Sequence, residues 1–275
     1  MKPIEEALRV AAESRREITT KVVALQRSEK PSVAEKPAAP IDVSRLAHSR
    51  SRSIEVPRAV LERSRIISAA GQDPATRAYK LLRTRVQQRM DHQRWQTLAV
   101  VSPGAREGKT LTAINLGVAL ASSEQRTALL VDCDWRKPSV HTYFDFKPDC
   151  DVLMYLDGKS PLSAAIVNPG IPGFCFLPCR APIARSSERL GSRKVAAFVD
   201  ELKKRYPDRT VIFDLPPVLL TDDALSFLPH VDCVLVVVED DRTRRDDIKK
   251  VLQLIGPDRL LGTVLNKSSL ELAGY

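Results

Sequence analysis

The chain has 275 residues, 43% of them hydrophobic and 5% aromatic, with a formal net charge of +9. That length allows one large domain or two small ones around a mainly aliphatic core, and no apolar run approaches the roughly 18 residues that cross a bilayer. The positive excess lies wholly before residue 96: residues 1–95 hold 20 Lys and Arg against 11 Asp and Glu, whereas residues 96–275 hold 23 of each.

Taken in order, residues 4–25 place Ile4, Leu8, Ala11, Ile18, Val22 and Leu25 at alternating spacings of four and three, with Arg15 in the one missing slot. That stripe predicts an amphipathic N-terminal helix within residues 1–26, which either docks a partner or folds onto its own domain. Residues 27–72 hold Pro31, Pro37, Pro40 and Pro57 and the run Ser49-Arg50-Ser51-Arg52-Ser53, the composition of a flexible linker. Two apolar patches interrupt it, around Ile41–Leu46 and Val56–Ile67, and are expected to lie along the domain surface. The arginines of this basic half are interleaved with acids and almost no aromatics, so the reading is no nucleic acid. An anionic inner leaflet, an acidic partner or plain solvent is left to face them.

The remaining residues, 73–275, read as one domain. Asp73-Pro74 starts a helix that runs to about Met90. Tyr79, Leu82 and Val86 face inward, and Arg77, Lys80, Arg83, Arg85 and Arg89 face outward. Leu98–Val101 is a short buried strand ended by Pro103 and Gly104, and Leu111–Leu120 is the following helix. Between them the turn closes on Gly108-Lys109-Thr110. Such a turn aims backbone N–H groups at one point beside the positive end of a helix dipole, which suits a phosphate chain. Lys109 would reach the terminal phosphates and the Thr110 hydroxyl would ligate Mg²⁺. The usual G-x-x-x-x-G-K-[ST] spacing would put glycine at position 103, where this chain has proline; Gly104 makes the loop one residue shorter.

A second strand, Thr127–Asp132, ends in Asp132-Cys133-Asp134-Trp135-Arg136. Carboxylates at such a strand tip face the nucleotide crevice of a parallel sheet. Asp132 is placed to hold Mg²⁺, and Asp134 to take a proton from an attacking hydroxyl. Phe174–Cys179 is a further strand and Ser187–Tyr206 a helix. Thr210–Asp214 is an apolar strand with a terminal carboxylate near the metal, as in a Walker B arm. After Pro216-Pro217, Asp222 and Asp223 cap a short helix. A strand over Cys233–Val238, a helix from Thr243 to about Leu254 and a last strand over Leu261–Leu265, ending at Asn266-Lys267, complete the chain. The fold class is therefore α/β: a three-layer P-loop NTPase with a mostly parallel central sheet. Cys133, Cys150, Cys175, Cys179 and Cys233 are too few and too scattered for a disulfide framework and read as reduced core thiols.

Three strand-end motifs thus stand together: Ser102–Thr110, Asp132-x-Asp134-x-Arg136 and Asp214-x-Pro216-Pro217. Over residues 73–267 this set resembles the bacterial tyrosine kinases (BY-kinases), the P-loop autokinases of capsule and exopolysaccharide loci, and most closely their stand-alone cytoplasmic form. The resemblance implies an ATP- and Mg²⁺-dependent protein-tyrosine kinase. Gly104, Ala105, Arg106, Glu107, Gly108, Lys109, Thr110 and Leu111 would cradle ATP, with Asn266 near the adenine. Lys109, Asp132 and Asp134 would be catalytic; Thr110, Asp132 and Asp214 would organise the metal; Tyr275 would be the phosphate acceptor. It further implies an inner-membrane polysaccharide co-polymerase (chain-length determinant) as partner, a homo-oligomer, and a cytoplasmic protein peripheral to the inner membrane through that partner. Two features depart from the family. Its Glu-x-x-Arg-x-x-Arg assembly motif is matched here by Arg77, Lys80 and Arg83, and its tyrosine-rich tail by Tyr275 alone. The rival reading is an ATP-binding regulatory subunit of the polysaccharide machinery with little kinase activity. A septum-positioning type of ATPase is disfavoured, because its signature lysine would fall at Gly104.

Overall fold

A computed structural model describes residues 52–68, 71–123 and 126–268. The heptad stripe of residues 4–25, most of the 27–72 segment and Tyr275 lie outside those residues. The elements are β1 (Arg52–Ser53), α1 (Arg58–Arg63), α2 (Pro74–Gln93), β2 (Thr97–Val101), α3 (Lys109–Ala121), β3 (Thr127–Asp132), α4 (Val140–Tyr143), α5 (Val152–Leu156), α6 (Leu162–Ala165), β4 (Val167–Asn168) and β5 (Phe174–Leu177). They continue with α7 (Ser186–Leu190), α8 (Arg193–Arg205), β6 (Arg209–Asp214), α9 (Asp223–Phe227), β7 (Cys233–Glu239), α10 (Arg245–Ile255) and β8 (Leu260–Asn266). One eight-stranded sheet runs in the order β1-β4-β5-β3-β6-β2-β7-β8. Every pairing is parallel except β4 with β5.

The strands are apolar without alternation because both faces of the sheet are covered. Leu98, Val100, Leu130 and Ile212 face α2 and α3, where they meet Val86, Met90, Ile114 and Leu116. Ala99, Val101, Leu129 and Phe213 face the opposite layer, with Val195, Phe198, Leu202, Phe227 and Val251. The period-2 switch of faces along each strand thus builds two cores from one run of residues. Helix α3 is buried along almost its whole length. It lies so close to the sheet that a Cβ at Gly117 would stand 2.6 Å from the Phe174 ring.

The helix opening at Asp73-Pro74 forms as expected, with the Asp73 carboxylate accepting the Thr76 N–H and Pro74 in the first turn. The single helix expected over Ser187–Tyr206 is two. Gly191 ends α7, and the Ser192 hydroxyl, which accepts the Val195 N–H, starts α8. Asp222 at the cap position and Asp223 as the first residue of α9 do not cap it with their side chains, which are drawn to Ser187, Ser186 and Arg136 instead.

Residues 52–68 depart from the linker reading. Arg52 and Ser53 pair with β4, and Ile66 and Ile67 are buried against α3. The Asn115 side chain, inside α3, accepts the Ile67 N–H at 3.1 Å and donates to the Arg65 carbonyl at 3.0 Å. Arg52 pairs with Asp149, and Arg63 with Asp145. Proline content and charge signalled a solvated strand of chain, but the Val56–Ile67 patch carries enough apolar surface, and meets enough polar partners, to dock.

Asp232, just before β7, ties the start of β2 in place. Its carboxylate accepts the Gln96 and Thr97 N–H groups at 2.9 Å each, the Thr97 hydroxyl at 2.8 Å and the Lys203 ammonium at 2.7 Å. Burial works to raise its pKa, but Lys203 and these donors prevail and hold it below the ordinary aspartate value. A group depressed in this way adds stability above its unfolded pKa and loses it as the pH falls through the folded one. Asp232→Ala should therefore cost about 2–4 kcal/mol at neutral pH, through orphaned donors. The deficit should shrink in acid; urea unfolding at neutral and acidic pH measures both, and an equal deficit at the two would refute the assignment.

Candidate active site

Strands β2, β3 and β6 lie side by side, so their C-terminal tips deliver three motifs to one place. Asp132 and Asp214 are register partners across the β3–β6 pair. The Lys109 ammonium lies 2.9 Å from Asp134 Oδ2 and 3.4 Å from Asp214 Oδ1, and the Thr110 hydroxyl donates to Asp214 Oδ2 at 2.7 Å. Asp132 turns to its own loop: Oδ1 accepts the Asp134 N–H at 3.2 Å, and Oδ2 accepts the Ser139 and Val140 N–H groups, both at 3.0 Å. All five side chains are buried.

One cation thus faces three carboxylates. Burial pulls the Lys109 ammonium toward neutrality, but Asp214 and Asp134 overcome this and hold it above the ordinary lysine range. Burial pushes Asp132 well up, and the like charge of Asp214 adds to it. Burial also raises Asp214, against the pull of Lys109 and the Thr110 hydroxyl. The excess of negative charge and the all-oxygen donor set, a hydroxyl beside carboxylates, fit a small hard cation such as Mg²⁺.

The loop ahead of α3 is held from outside. Gly108 sits at φ +91°, where a side chain is strained, and a Cβ there would stand 2.0 Å from Asn266 Nδ2. Asn266 donates to the Glu107 carbonyl at 2.9 Å, and Lys267 to the Arg106 carbonyl at 2.8 Å. The buried Glu107 carboxylate accepts the Gly104 N–H at 3.1 Å and the Thr243 hydroxyl at 2.7 Å. Behind the loop, the Ser102 and Pro103 carbonyls accept the Val218 and Leu219 N–H groups. With its carbonyls engaged in this way, the short loop at the start of α3 keeps a fixed shape, and its N–H groups stand at the positive end of a helix dipole.

The structure therefore gathers Lys109, Thr110, Asp132, Asp134 and Asp214, and sets Asn266 against the underside of the Gly104–Leu111 loop. Thr243, Lys267 and Asp223 join the assembly without having been read as site residues from sequence. Their partners lie 136, 161 and 87 residues away, so no local spacing announces them.

No family model matches the chain. Among characterised proteins it is 27% identical over 195 residues to tyrosine-protein kinase YwqD of Bacillus subtilis, covering 70% of this chain and 81% of that one. It is 28% identical over 219 residues to the succinoglycan biosynthesis transport protein ExoP of Rhizobium meliloti, covering 77% of this chain but only 27% of ExoP. Tyrosine-protein kinase ptk of Acinetobacter johnsonii is likewise spanned over only 28% of its length, at 24% identity over 74% of this chain. Among solved structures, the chimerical protein CapA2B2 superposes with a TM-score of 0.67 at 28% identity, over 84% of this chain and 99% of that one. The strand-tip constellation and these relatives point the same way: over about three quarters of its length the chain is similar to bacterial tyrosine kinases.

Proposed function

We propose that the protein is a Mg·ATP-dependent protein-tyrosine autokinase that regulates the synthesis, chain length or export of an extracellular polysaccharide. The observation that carries this reading is the convergence of Lys109, Thr110, Asp134 and Asp214 within hydrogen-bonding distance at the mouth of one loop. Named kinases such as YwqD, and ExoP with its polysaccharide name, support it.

When bound, Mg·ATP supplies the phosphoryl group and part of the charge neutralisation. Thr110 and Asp214 would hold the cation, with Asp132 fixing the loop that carries Asp134. Lys109 would exchange its carboxylate partners for the terminal phosphates, freeing Asp134 to accept the proton of a tyrosine hydroxyl. Gly104–Leu111 would cradle the phosphates, and Asn266, braced on Glu107, would border the base. Little covalent work falls to the protein; positioning and charge supply most of the rate. Tyr275 would be the acceptor, and an inner-membrane polysaccharide co-polymerase the partner that brings the protein to the membrane. Among the described residues no helix is long and apolar enough to cross one.

Incubation with labelled ATP and Mg²⁺, followed by phosphotyrosine mapping, tests the proposal. Label on Tyr275 that falls by about 10²-fold or more in Asp134→Asn is expected. No label in the wild type, or equal label in the variant, would leave the regulatory-subunit reading in its place. That rival draws on helix α2, where Lys80 donates to the Gly71 carbonyl and Arg83 to the Ser122 hydroxyl, at positions the family uses for assembly.

A further inference from the structure

Beside the carboxylate proposed as the base stands an arginine with an uncommon anchor. Arg136, two residues after Asp134, reaches the Asp223 carboxylate with Nε at 3.0 Å from both oxygens and with Nη2 at 2.9 Å from Oδ1. Asp223 is fully buried and also accepts the Ser186 hydroxyl at 2.5 Å. The same Nη2 lies 3.5 Å from the exposed Asp222. One edge of the guanidinium is therefore fully used, while Nη1 has no partner among the described residues. The side chain as a whole is 48% exposed, and the buried carboxylate lies on its engaged edge. The open edge thus faces solvent.

The backbone under this arginine is rigid. The Lys137 N–H is held by the Asp134 carboxylate and carbonyl, both at 3.1 Å, and the buried Trp135 donates to the Asp132 carbonyl. The Trp135 carbonyl accepts the Ile183 N–H at 3.0 Å, which brings the loop carrying Arg180 and Arg185 alongside. Arg136, Lys137, Arg180 and Arg185 are all exposed, against Asp222 and Glu188 as the exposed acids of the same rim. A fork of donors with one edge fixed by a buried carboxylate and the other open is suited to recognising a second carboxylate.

Resting on the kinase reading, we propose that Arg136 reads negative charge flanking the acceptor tyrosine, and that Asp223 is the positioning residue that aims it. The substrate class is a tyrosine in an acidic segment. The chain's own candidate acceptor carries one such charge: between Ser268 and Tyr275 the one charged side chain is Glu271. Asp223 touches no substrate and acts only through the arginine.

The test uses the full-length protein with ADP and Mg²⁺ and two fluorescein-labelled peptides, a tyrosine flanked by glutamates and the same peptide with glutamines. Anisotropy should give about tenfold tighter binding of the acidic peptide, the worth of one charge-assisted contact. Arg136→Gln and Asp223→Asn should each bring that ratio to within about twofold of unity. In transfer assays the loss should fall on the KM for the acidic peptide and not on the KM for ATP. If Arg136→Gln misfolds because Asp223 is left as a buried unpaired charge, the double variant with Asp223→Asn removes that charge, and it too must lack the preference. A wild-type ratio near unity, a ratio that survives Arg136→Gln, or an equal loss of ATP affinity with both peptides overturns the proposal. Absence of phosphate transfer to any tyrosine would instead overturn the kinase reading, while the binding ratio would still be measured on its own terms.

Discussion

Lys109→Met should lower phosphate transfer by about 10³-fold or more, because the one cation of the site is the donor aimed at the charge that develops on the phosphates. The same change should also unsettle the fold. Among the described residues, Lys109 is the cation set against Asp134 and Asp214. Removing one partner of a buried charge cluster typically costs about 3–5 kcal/mol. The pH dependence gives the result its signature. Asp132 and Asp214 already have raised pKa values, through burial first and then, for Asp132, through the charge of Asp214. A carboxyl raised on folding contributes stability that is complete below its unfolded pKa and is lost as the pH climbs through the folded one. Without Lys109 both are raised further, so the deficit should be small in weakly acid buffer and large in weakly alkaline buffer. Thermal unfolding of the two proteins across that range measures it. A gap that stays constant with pH would show that the ammonium does not neutralise these carboxylates.

Gly108→Ala should weaken nucleotide binding sharply, through backbone strain and a collision with Asn266 together. The residue sits at φ +91°, and the new methyl carbon would lie 2.0 Å from the Asn266 amide nitrogen. Alanine in this region costs about 1–3 kcal/mol before any contact is counted. Relief by moving Asn266 would break its bond to the Glu107 carbonyl, which shapes the loop. A loss of at least about 10²-fold in affinity for a fluorescent ADP analogue is expected, equivalent to roughly 3 kcal/mol. Adding Asn266→Ala removes the clash but leaves the strain, so the double variant should regain only part of the binding. Full recovery would assign the whole effect to the collision, and unchanged binding in the single variant would remove the loop from the nucleotide site.

Much of this site was legible from local chemistry. The run Thr127–Asp132, the run Thr210–Asp214 and the Gly108-Lys109-Thr110 turn each carry their own signal, and parallel order brings their tips together. What escaped the sequence is of another kind. Asp223 looks like a helix cap because its neighbours are Asp222 and a short apolar run; only the folded chain reveals Arg136 as its partner. Gly191 splits a helix whose apolar period runs on past it. Within residues 52–68 the apolar patch pointed to the domain surface, but not to its socket, since the amide of Asn115 that receives it belongs to a helix whose pattern marks it only as core.

That last feature bears on where the chain can be cut. A fragment beginning at Asp73 would strip Ile66 and Ile67 from their sockets and take from the Asn115 amide its Ile67 and Arg65 partners, forfeiting about 3–5 kcal/mol of apolar burial. The exposed trough would sit on the helix that opens with Lys109 and Thr110, so trimming for crystallisation or expression would yield a sticky, softened protein. A piece that keeps these contacts and the β1–β4 pairing includes residues 52–68.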